Sequence, residues 1–222
     1  MTDKAKIKEI FTSIQGEGPF IGYKQLFVRF CGCNLTCNYC DTDYRTVDSK
    51  EFSIEELISI TKKASDCHSI SLTGGEPLLS TGFLKEFLPQ CPLPVYLETN
   101  ATLAGELGEI IDYIDYISAD IKLASCTGGN DLFNEHDSFF AVASSKTLFA
   151  KIVFDSKITE EEIRKCCKLG AKYNVELILQ PKTVDNKPAV DIEIIEHIFD
   201  LFLKKYKKVR LIPQVHKYLN VR

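Results

Sequence analysis

Several features are missing from this sequence, and each absence argues against a class of protein. No apolar run approaches 18 residues, so no transmembrane helix is expected. The first ten residues, MTDKAKIKEI, lack the apolar core of a secretory signal peptide. Basic residues number 27 against 31 acidic ones, which argues against non-specific nucleic-acid binding as the main role. We therefore expect a cytoplasmic protein with neither a membrane nor a nucleic-acid partner.

The 222 residues also contain no internal repeat, linker or low-complexity tract, so a single domain over residues 1–222 is expected. Apolar, β-rich runs alternate along the chain with stretches of helical spacing. Seven such runs are found, at residues 26–30, 69–72, 95–97, 116–118, 148–154, 175–179 and 209–212. This alternating order predicts a mostly parallel sheet.

Three of the intervening segments carry clear helix signals. Ser53 with Glu56, and Thr159 with Glu162, have the spacing of capping boxes and predict two helix starts. The segment 191–206 has the longest helical spacing of apolar residues. By contrast, the segment 123–135 contains glycines and polar residues, and these predict an irregular loop.

Seven strands and about six helices indicate an α/β fold built as an incomplete, TIM-like βα barrel. A complete eight-fold barrel usually takes ~250 residues, which is more than this chain has. The alternative is an open, doubly wound sheet, but no G-x-G-x-x-G follows the first strand.

Polar residues follow many of these strands, at the end where parallel α/β folds bind their ligands. They are the clustered cysteines after the first run, and then residues 73–77, 98–100, 120–122, 180–181 and 213–217. Turn formation is the simpler explanation for some of them.

The cysteines are nine in number, and three of them form a short C-x3-C-x2-C motif. Thiolates from Cys33, Cys37 and Cys40 at this spacing fit one side of a [4Fe–4S] cluster and leave its fourth iron without a protein ligand. A zinc site completed by Cys31 or a distant His is the alternative. Structural zinc usually takes a second pair of ligands, which this sequence does not show.

Tyr39 precedes Cys40, which gives C-x3-C-x-aromatic-C, and residues 73–77 read Thr-Gly-Gly-Glu-Pro. Together these motifs resemble the radical S-adenosylmethionine (SAM) superfamily. Further features are Gln15-Gly16-Glu17-Gly18, Arg29, Asp41-Thr42 and the closing segment 213–219, which reads PQVHKYL. With them the sequence resembles the 7-carboxy-7-deazaguanine synthase family nearly from end to end.

The resemblance implies a lyase that converts 6-carboxy-5,6,7,8-tetrahydropterin to 7-carboxy-7-deazaguanine with release of ammonia, in 7-deazapurine and queuosine biosynthesis. It implies that Cys33, Cys37 and Cys40 hold the cluster, whose free iron binds SAM. Reductive cleavage of SAM gives a 5′-deoxyadenosyl radical, which takes the hydrogen at C6 of the pterin. It also implies Mg²⁺ on Thr42, an external flavodoxin- or ferredoxin-like electron donor, and a homodimer.

The same resemblance assigns binding roles to further residues. Those expected to bind SAM are Tyr39 through its backbone, Gly75, Glu76, Ser118, Asp120, Lys122 and Gln180. Those expected to bind the substrate are Ile14, Gln15, Gly16, Glu17, Arg29, Thr73 and the terminal carboxylate of Arg222. The N-terminal segment and the C-terminal tail thus contribute to the substrate site.

Structural roles remain open for some of these residues. Two other functions remain open for the protein. Arg29 could form an ion pair within the barrel, and Asp120 could pair with Lys122. A glycyl-radical activase of the same superfamily is a second possible function, although it has no need of a carboxypterin site. A non-enzymatic iron–sulfur or zinc module is a third, and it leaves residues 74–76 unexplained.

Overall fold

The computed structural model describes residues 4–221 of the chain. The strands are β1 (Lys4–Ile14), β2 (Lys24–Phe30), β3 (Lys50–Ser53), β4 (Ser69–Gly74), β5 (Val95–Thr99), β6 (Tyr116–Asp120), β7 (Thr147–Phe154), β8 (Glu176–Pro181), β9 (Thr183–Val184), β10 (Lys187–Pro188) and β11 (Val209–Leu211). The helices are α1 (Ile54–Lys63), α2 (Thr81–Phe87), α3 (Ala104–Gly108), α4 (Ala124–Thr127), α5 (Phe133–Ala143), α6 (Glu160–Tyr173), α7 (Ile192–Lys205) and α8 (Val215–Leu219). Short 3₁₀ turns lie at Gly18–Phe20, Pro77–Ser80, Leu88–Gln90 and Ile111–Tyr113.

The main sheet has nine strands in the order β11-β8-β7-β6-β5-β4-β2-β1-β3. Its seven parallel strands, from β2 to β11, coincide with the seven predicted apolar runs. They follow chain order without a reversal, whereas a doubly wound sheet reverses direction at a switch point. Because β11 and β3 are free edges, the barrel is not closed, and the prediction of an incomplete βα barrel is confirmed.

Two antiparallel strands of the main sheet, β1 and β3, were not among the predicted runs, and neither was the separate antiparallel pair β9 and β10. β1 pairs with both β2 and β3 and extends the sheet beyond the parallel strands. At the beginning of β1, exposed Lys4 and Lys6 alternate with buried Ala5 and Ile7. This two-residue period is typical of a strand with one solvent-exposed face. A strand with charged residues on one face lacks the continuous apolar run that is typical of a strand buried on both faces.

The predicted helix starts are confirmed by their capping contacts. The Glu56 amide donates to the Ser53 hydroxyl (3.3 Å), and the Ser53 amide donates to the Glu56 carboxylate (2.8 Å). Thr159 and Glu162 make the same reciprocal pair at the start of α6. These contacts satisfy amides that would otherwise lack partners in the first turn.

The prediction of an irregular loop over 123–135 is wrong in part. α4 occupies the first half of the segment, and α5 begins at Phe133. A four-residue helix is too short to produce an apolar period, so the sequence carried no signal for α4. α4 ends at Gly128, which takes the left-handed conformation (φ 75°) that closes many helices.

Aromatic side chains fill the end of the barrel at which the parallel strands begin. Tyr96, Phe149 and Ile178 form a buried cluster inside the sheet, and the Phe20 ring packs edge-on against Tyr96 with 5.3 Å between centroids. This packing leaves the carboxyl ends of the strands as the open end. Among residues 4–221, no helix is long and apolar enough to cross a membrane.

Candidate active site

A cavity of about 430 Å³ opens at the carboxyl ends of the parallel strands. Its volume lies in the range of small-molecule sites, roughly 300–1,000 Å³. The wall contains most of the side chains predicted for the cluster, SAM, Mg²⁺ and substrate. They are Ile14, Gln15, Gly16, Glu17, Arg29, Cys33, Cys37, Tyr39, Cys40, Thr42, Thr73, Gly75, Asp120, Lys122 and Gln180.

Two predicted site residues of the described chain are not found on that wall. Ser118 is buried beneath it and hydrogen-bonds Tyr96 of the aromatic cluster. Glu76 is buried behind the wall, between the loops that follow β4 and β5. Arg222 lies outside the described residues.

The three motif cysteines lie on the loop that leaves β2, and all three residues line the cavity. Cys31 does not line it, and its thiol lies 3.7 Å from the carbonyl of Arg45. Within residues 4–221, no three His, Cys, Asp or Glu side chains converge as ligands of a single metal ion. This separates Cys31 from the motif and gives no support in that range to a zinc site.

The glycines that follow β4 allow that turn to touch the start of the cysteine loop. Gly74 has φ 113°, and a Cβ placed on Gly75 would come within 1.8 Å of the Gly32 carbonyl oxygen. The Glu76 amide donates to the same oxygen at 2.8 Å. Only glycine at position 75 permits this approach, so the turn fixes where the cysteine loop begins.

Glu76 ties the loops after β4 and β5 together. Its carboxylate accepts hydrogen bonds from the backbone amides of Asn100 (2.8 Å) and Leu78 (3.1 Å) and from the hydroxyl of Thr99. Burial raises the pKa of Glu76 to about 7, although these hydrogen bonds and the charge of Lys122 oppose the shift. Through these contacts the Glu76 side chain holds the loops after β4 and β5 in fixed positions.

A chain of buried charges crosses the cavity. The Lys151 ammonium forms ion pairs with Glu17 and, at 3.3 Å, with Asp120, which also pairs with Lys122 at 2.7 Å. The Lys122 ammonium lies 5.5 Å from the centre of the Tyr39 ring. Burial alone would lower the pKa of Lys151, but the carboxylates of Asp120 and Glu17 raise it well above its ordinary value. Lys151 is therefore charged at neutral pH, and its two carboxylate partners hold it in place.

A second network joins Gln15 to Glu98. The Gln15 amide nitrogen donates to Glu98 (2.9 Å) and to Gln25 (3.0 Å), while its oxygen accepts from the Glu17 amide (3.0 Å). Thr73 donates to the other Glu98 oxygen at 3.0 Å. Both amide protons of Gln15 are thus used within the protein, so its side chain has only acceptor capacity left for a ligand.

Arg29 lines the cavity but has a protein partner there. Its guanidinium donates to the Glu9 carboxylate at 2.6 Å and lies 5.1 Å from the centre of the Phe11 ring. The Arg29 side chain is 34% exposed, so the ion pair with Glu9 leaves part of it accessible. The structure thus contains both the ion pair and the cavity-facing position that the sequence left as alternatives.

The C-terminal segment closes over the loop that follows β1. Gln214 donates to Glu17 (2.7 Å), Val215 donates to the Gly16 carbonyl (2.9 Å), and Lys217 pairs with Asp41 at 3.0 Å. A Cβ on Gly16 would come within 2.5 Å of the His216 side chain. The tail therefore bridges the first loop of the barrel and the cysteine loop.

His136 supports the wall from behind. The Lys122 amide donates to its Nε2 at 3.0 Å, so the Nδ1 proton points to the carbonyl of Ala101, also at 3.0 Å. Burial lowers the pKa of His136 to about 4, and the neutral ring is the form these contacts require. Its position fixes the backbone of a cavity lysine.

The sequence comparisons agree with this geometry. A profile of the Radical SAM superfamily matches residues 27–210. The 7-carboxy-7-deazaguanine synthase of Geobacter sulfurreducens is 36% identical over 97% of both chains, and that of Archaeoglobus fulgidus is 33% identical over 99% of this chain and all of its own. This chain belongs to the 7-carboxy-7-deazaguanine synthase family of the radical SAM superfamily.

The fold of a solved structure agrees with this family. QueE from Escherichia coli superposes with a TM-score of 0.67 over 96% of this chain and 95% of its own, at 19% identity. The radical SAM superfamily implies a [4Fe–4S] cluster, SAM, a small-molecule substrate and an external electron donor. The chain is therefore a radical SAM lyase rather than a non-enzymatic binding module.

The cysteine loop fits such a cluster. Each thiolate binds a different iron of the cluster, so the three sulfurs need not converge on one point as they would around zinc. Burial raises the pKa of the Cys33 and Cys37 thiols, so their thiolates need a cationic partner such as iron to be stable there. The Asn100 amide, 3.8 Å from the Cys33 sulfur, supplies a donor beside it.

Sequence reasoning assigned no role to three charged residues of the wall, Glu98, Lys151 and Lys182, and the first two belong to its buried networks. Glu98 was noted only as a polar residue at a strand end and received no role. Lys151 was passed over inside an apolar run, although a lone charge in a strand buried on both faces is costly and therefore informative. That feature, read directly, predicts a paired lysine facing the barrel interior.

Proposed function

We propose that this chain binds 6-carboxy-5,6,7,8-tetrahydropterin in the cavity and converts it to 7-carboxy-7-deazaguanine with release of ammonia. The supporting observation is a single cavity that contains both the three motif thiols and the polar side chains suited to a carboxypterin. When bound, the cluster and SAM supply the radical chemistry, and the protein supplies orientation and exclusion of water.

On the cluster side, Cys33, Cys37 and Cys40 would hold three irons and leave the fourth for SAM. Gly75 would offer backbone to the methionine group, and Asp120 would accept hydrogen bonds from the ribose hydroxyls. Further SAM contacts are proposed for the Tyr39 backbone, Lys122 and Gln180. The buried side-chain oxygen of Gln180 has no hydrogen-bond partner within residues 4–221, so it fits a ligand donor.

On the substrate side, Arg29 would bind the carboxylate of the pterin. A guanidinium has five donors, so it can keep Glu9 and still meet a second carboxylate. Burial would raise the pKa of Glu17, but Lys151, Gln214 and the nearby His216 hold it below its ordinary value. The ionised Glu17 then accepts N–H groups from the aminopyrimidinone, flanked by Ile14, Gln15, Gly16 and Thr73.

Mg²⁺ is proposed at Thr42, which lies on the cavity wall two residues after Cys40. A single hydroxyl is a weak Mg²⁺ site, but this ion keeps several waters and takes substrate oxygens as ligands. The cation would therefore bind together with the substrate and neutralise its charge.

The remaining proposals concern the whole protein. The chain from 1 to 222 would act as one domain, with the N-terminal segment and the C-terminal tail, including Arg222, closing the substrate half. A homodimer, a flavodoxin- or ferredoxin-like electron donor and a cytoplasmic location are proposed from the family resemblance.

The test is anaerobic turnover of the reconstituted protein with SAM, a reductant, Mg²⁺ and 6-carboxytetrahydropterin. We expect 7-carboxy-7-deazaguanine by mass spectrometry, and its loss in Cys33→Ala. Formation of 5′-deoxyadenosine with the pterin untouched would contradict the substrate and favour a glycyl-radical activase. Absence of SAM cleavage by a protein with an intact cluster would contradict the reaction.

A further inference from the structure

Lys151 lies on the cavity wall, in a strand whose other buried residues are all apolar. It lies midway along β7, in the sequence Phe-Ala-Lys-Ile-Val, and its side chain is only 9% exposed. Burying an ammonium inside a barrel is costly unless carboxylates pair with it. Here two carboxylates do so, and they come from two different elements, the loop after β1 and the end of β6.

The first carboxylate belongs to the substrate half. Glu17 lies in the loop after β1, where Gln214 of the C-terminal segment donates to its second oxygen at 2.7 Å. An ionised carboxylate has about four acceptor positions, so Glu17 can keep Lys151 and Gln214 and still accept a ligand N–H.

The second carboxylate belongs to the SAM half. Asp120 ends β6 and pairs through one oxygen with Lys122 at 2.7 Å and through the other with Lys151 at 3.3 Å. Lys122 in turn faces the ring of Tyr39 on the cysteine loop. A continuous path of charged contacts therefore runs from the substrate loop to the cluster loop, and Lys151 is its central link.

We propose that Lys151 is a positioning residue that couples the binding of the two ligands by tying the carboxylate of Glu17 to that of Asp120. This inference rests on the proposed function, which assigns the two carboxylates to different ligands. A ligand that fixes Glu17 also fixes the ammonium paired with it. The ammonium then holds Asp120 in place for the other ligand, so the second ligand has less side-chain freedom to restrict.

The experiment is calorimetric titration of SAM into the reconstituted, unreduced protein, with and without saturating 6-carboxytetrahydropterin. Without a reductant no turnover occurs, so the readout is affinity alone. Coupling between two sites is typically at least about five-fold. We expect the wild-type protein to bind SAM about five-fold or more tightly when the pterin is present, and Lys151→Met to show a ratio close to one.

Lys182→Met is the matched control, because Lys182 also lines the cavity but has no ion pair among the described residues. This variant should retain the wild-type ratio. If Lys151→Met does not fold, the variant Lys151→Gln removes the ammonium and is too short to bridge both carboxylates, while its amide can still hydrogen-bond one of them. It too should show a ratio close to one.

The outcomes separate this inference from the proposed function. If the wild-type protein binds both ligands independently, or if coupling survives in Lys151→Met, the inference is overturned while the function stands. If the wild-type protein does not bind the pterin at all, the proposed function fails first.

Discussion

The neutral state of His136 predicts how the stability of the protein depends on pH. The ring is completely buried, and its Nε2 must stay unprotonated to accept the Lys122 amide. Its pKa is held at about 4, against an ordinary value of about 6.5. The unfolded chain therefore binds this proton at a higher pH than the folded chain does.

The sign and the size of the change in unfolding free energy with pH follow from proton linkage. Between pH 6.5 and 4 the unfolded state binds more protons at His136, so stability is fully present above pH 6.5 and falls as the pH is lowered. A shift of roughly 2.5 pKa units, at 1.36 kcal/mol each, corresponds to ~3 kcal/mol. Below about pH 4 this residue should cause no further loss.

The assay is urea unfolding of the apoprotein at several pH values from 7.5 to 4. His136→Gln is the informative variant, since its amide can accept the Lys122 N–H but does not titrate. We expect the variant to be less stable at pH 7.5 and the wild-type advantage to shrink by ~3 kcal/mol at pH 4. If the two proteins lose stability in parallel, the reasoning is refuted.

Three further predictions concern the cluster and the substrate. Cys31→Ser should keep the iron content of the reconstituted protein, whereas Cys33→Ser should lower it, measured as iron and sulfide per chain. Gly75→Ala should also lower it, because the added Cβ would displace the Gly32 carbonyl now 1.8 Å from its position. Arg29→Gln should raise KM for the pterin about 10- to 100-fold, because a hydrogen bond to a charged group contributes ~1.5–3 kcal/mol.

Each of these has a result that would contradict it. Loss of iron in Cys31→Ser would show that the fourth thiol belongs to the site. A Gly75→Ala protein with full cluster content would mean that the contact with the cysteine loop is not required. For Arg29→Gln, weaker SAM affinity would indicate a general disturbance of the cavity rather than loss of a substrate contact.

The parallel strands could be predicted because each is buried on both faces and therefore forms a continuous apolar run. The order of the sheet then followed from the alternation of strands and helices. β1 was missed because Lys4 and Lys6 on its solvent-exposed face interrupt the apolar sequence. α4 was missed because four residues give no period.

The candidate site likewise has features that local sequence predicts and long-range contacts that it does not. The cysteine spacing and the glycine turn are local in sequence, so both could be read directly. The pairing of Lys151 with Glu17 joins residues 134 positions apart, and no local pattern specifies it. Gln15 was expected to bind the substrate, but long-range contacts with Glu98 and Gln25 already use both protons of its side-chain amide.

The central claim is that radical chemistry begins at the substrate carbon held in this cavity, and isotope transfer tests it most directly. 6-Carboxytetrahydropterin carrying deuterium at C6 would be turned over anaerobically, and the 5′-deoxyadenosine formed would be analysed by mass spectrometry. The account predicts deuterium in 5′-deoxyadenosine alongside 7-carboxy-7-deazaguanine. Product formed with unlabelled 5′-deoxyadenosine would contradict it.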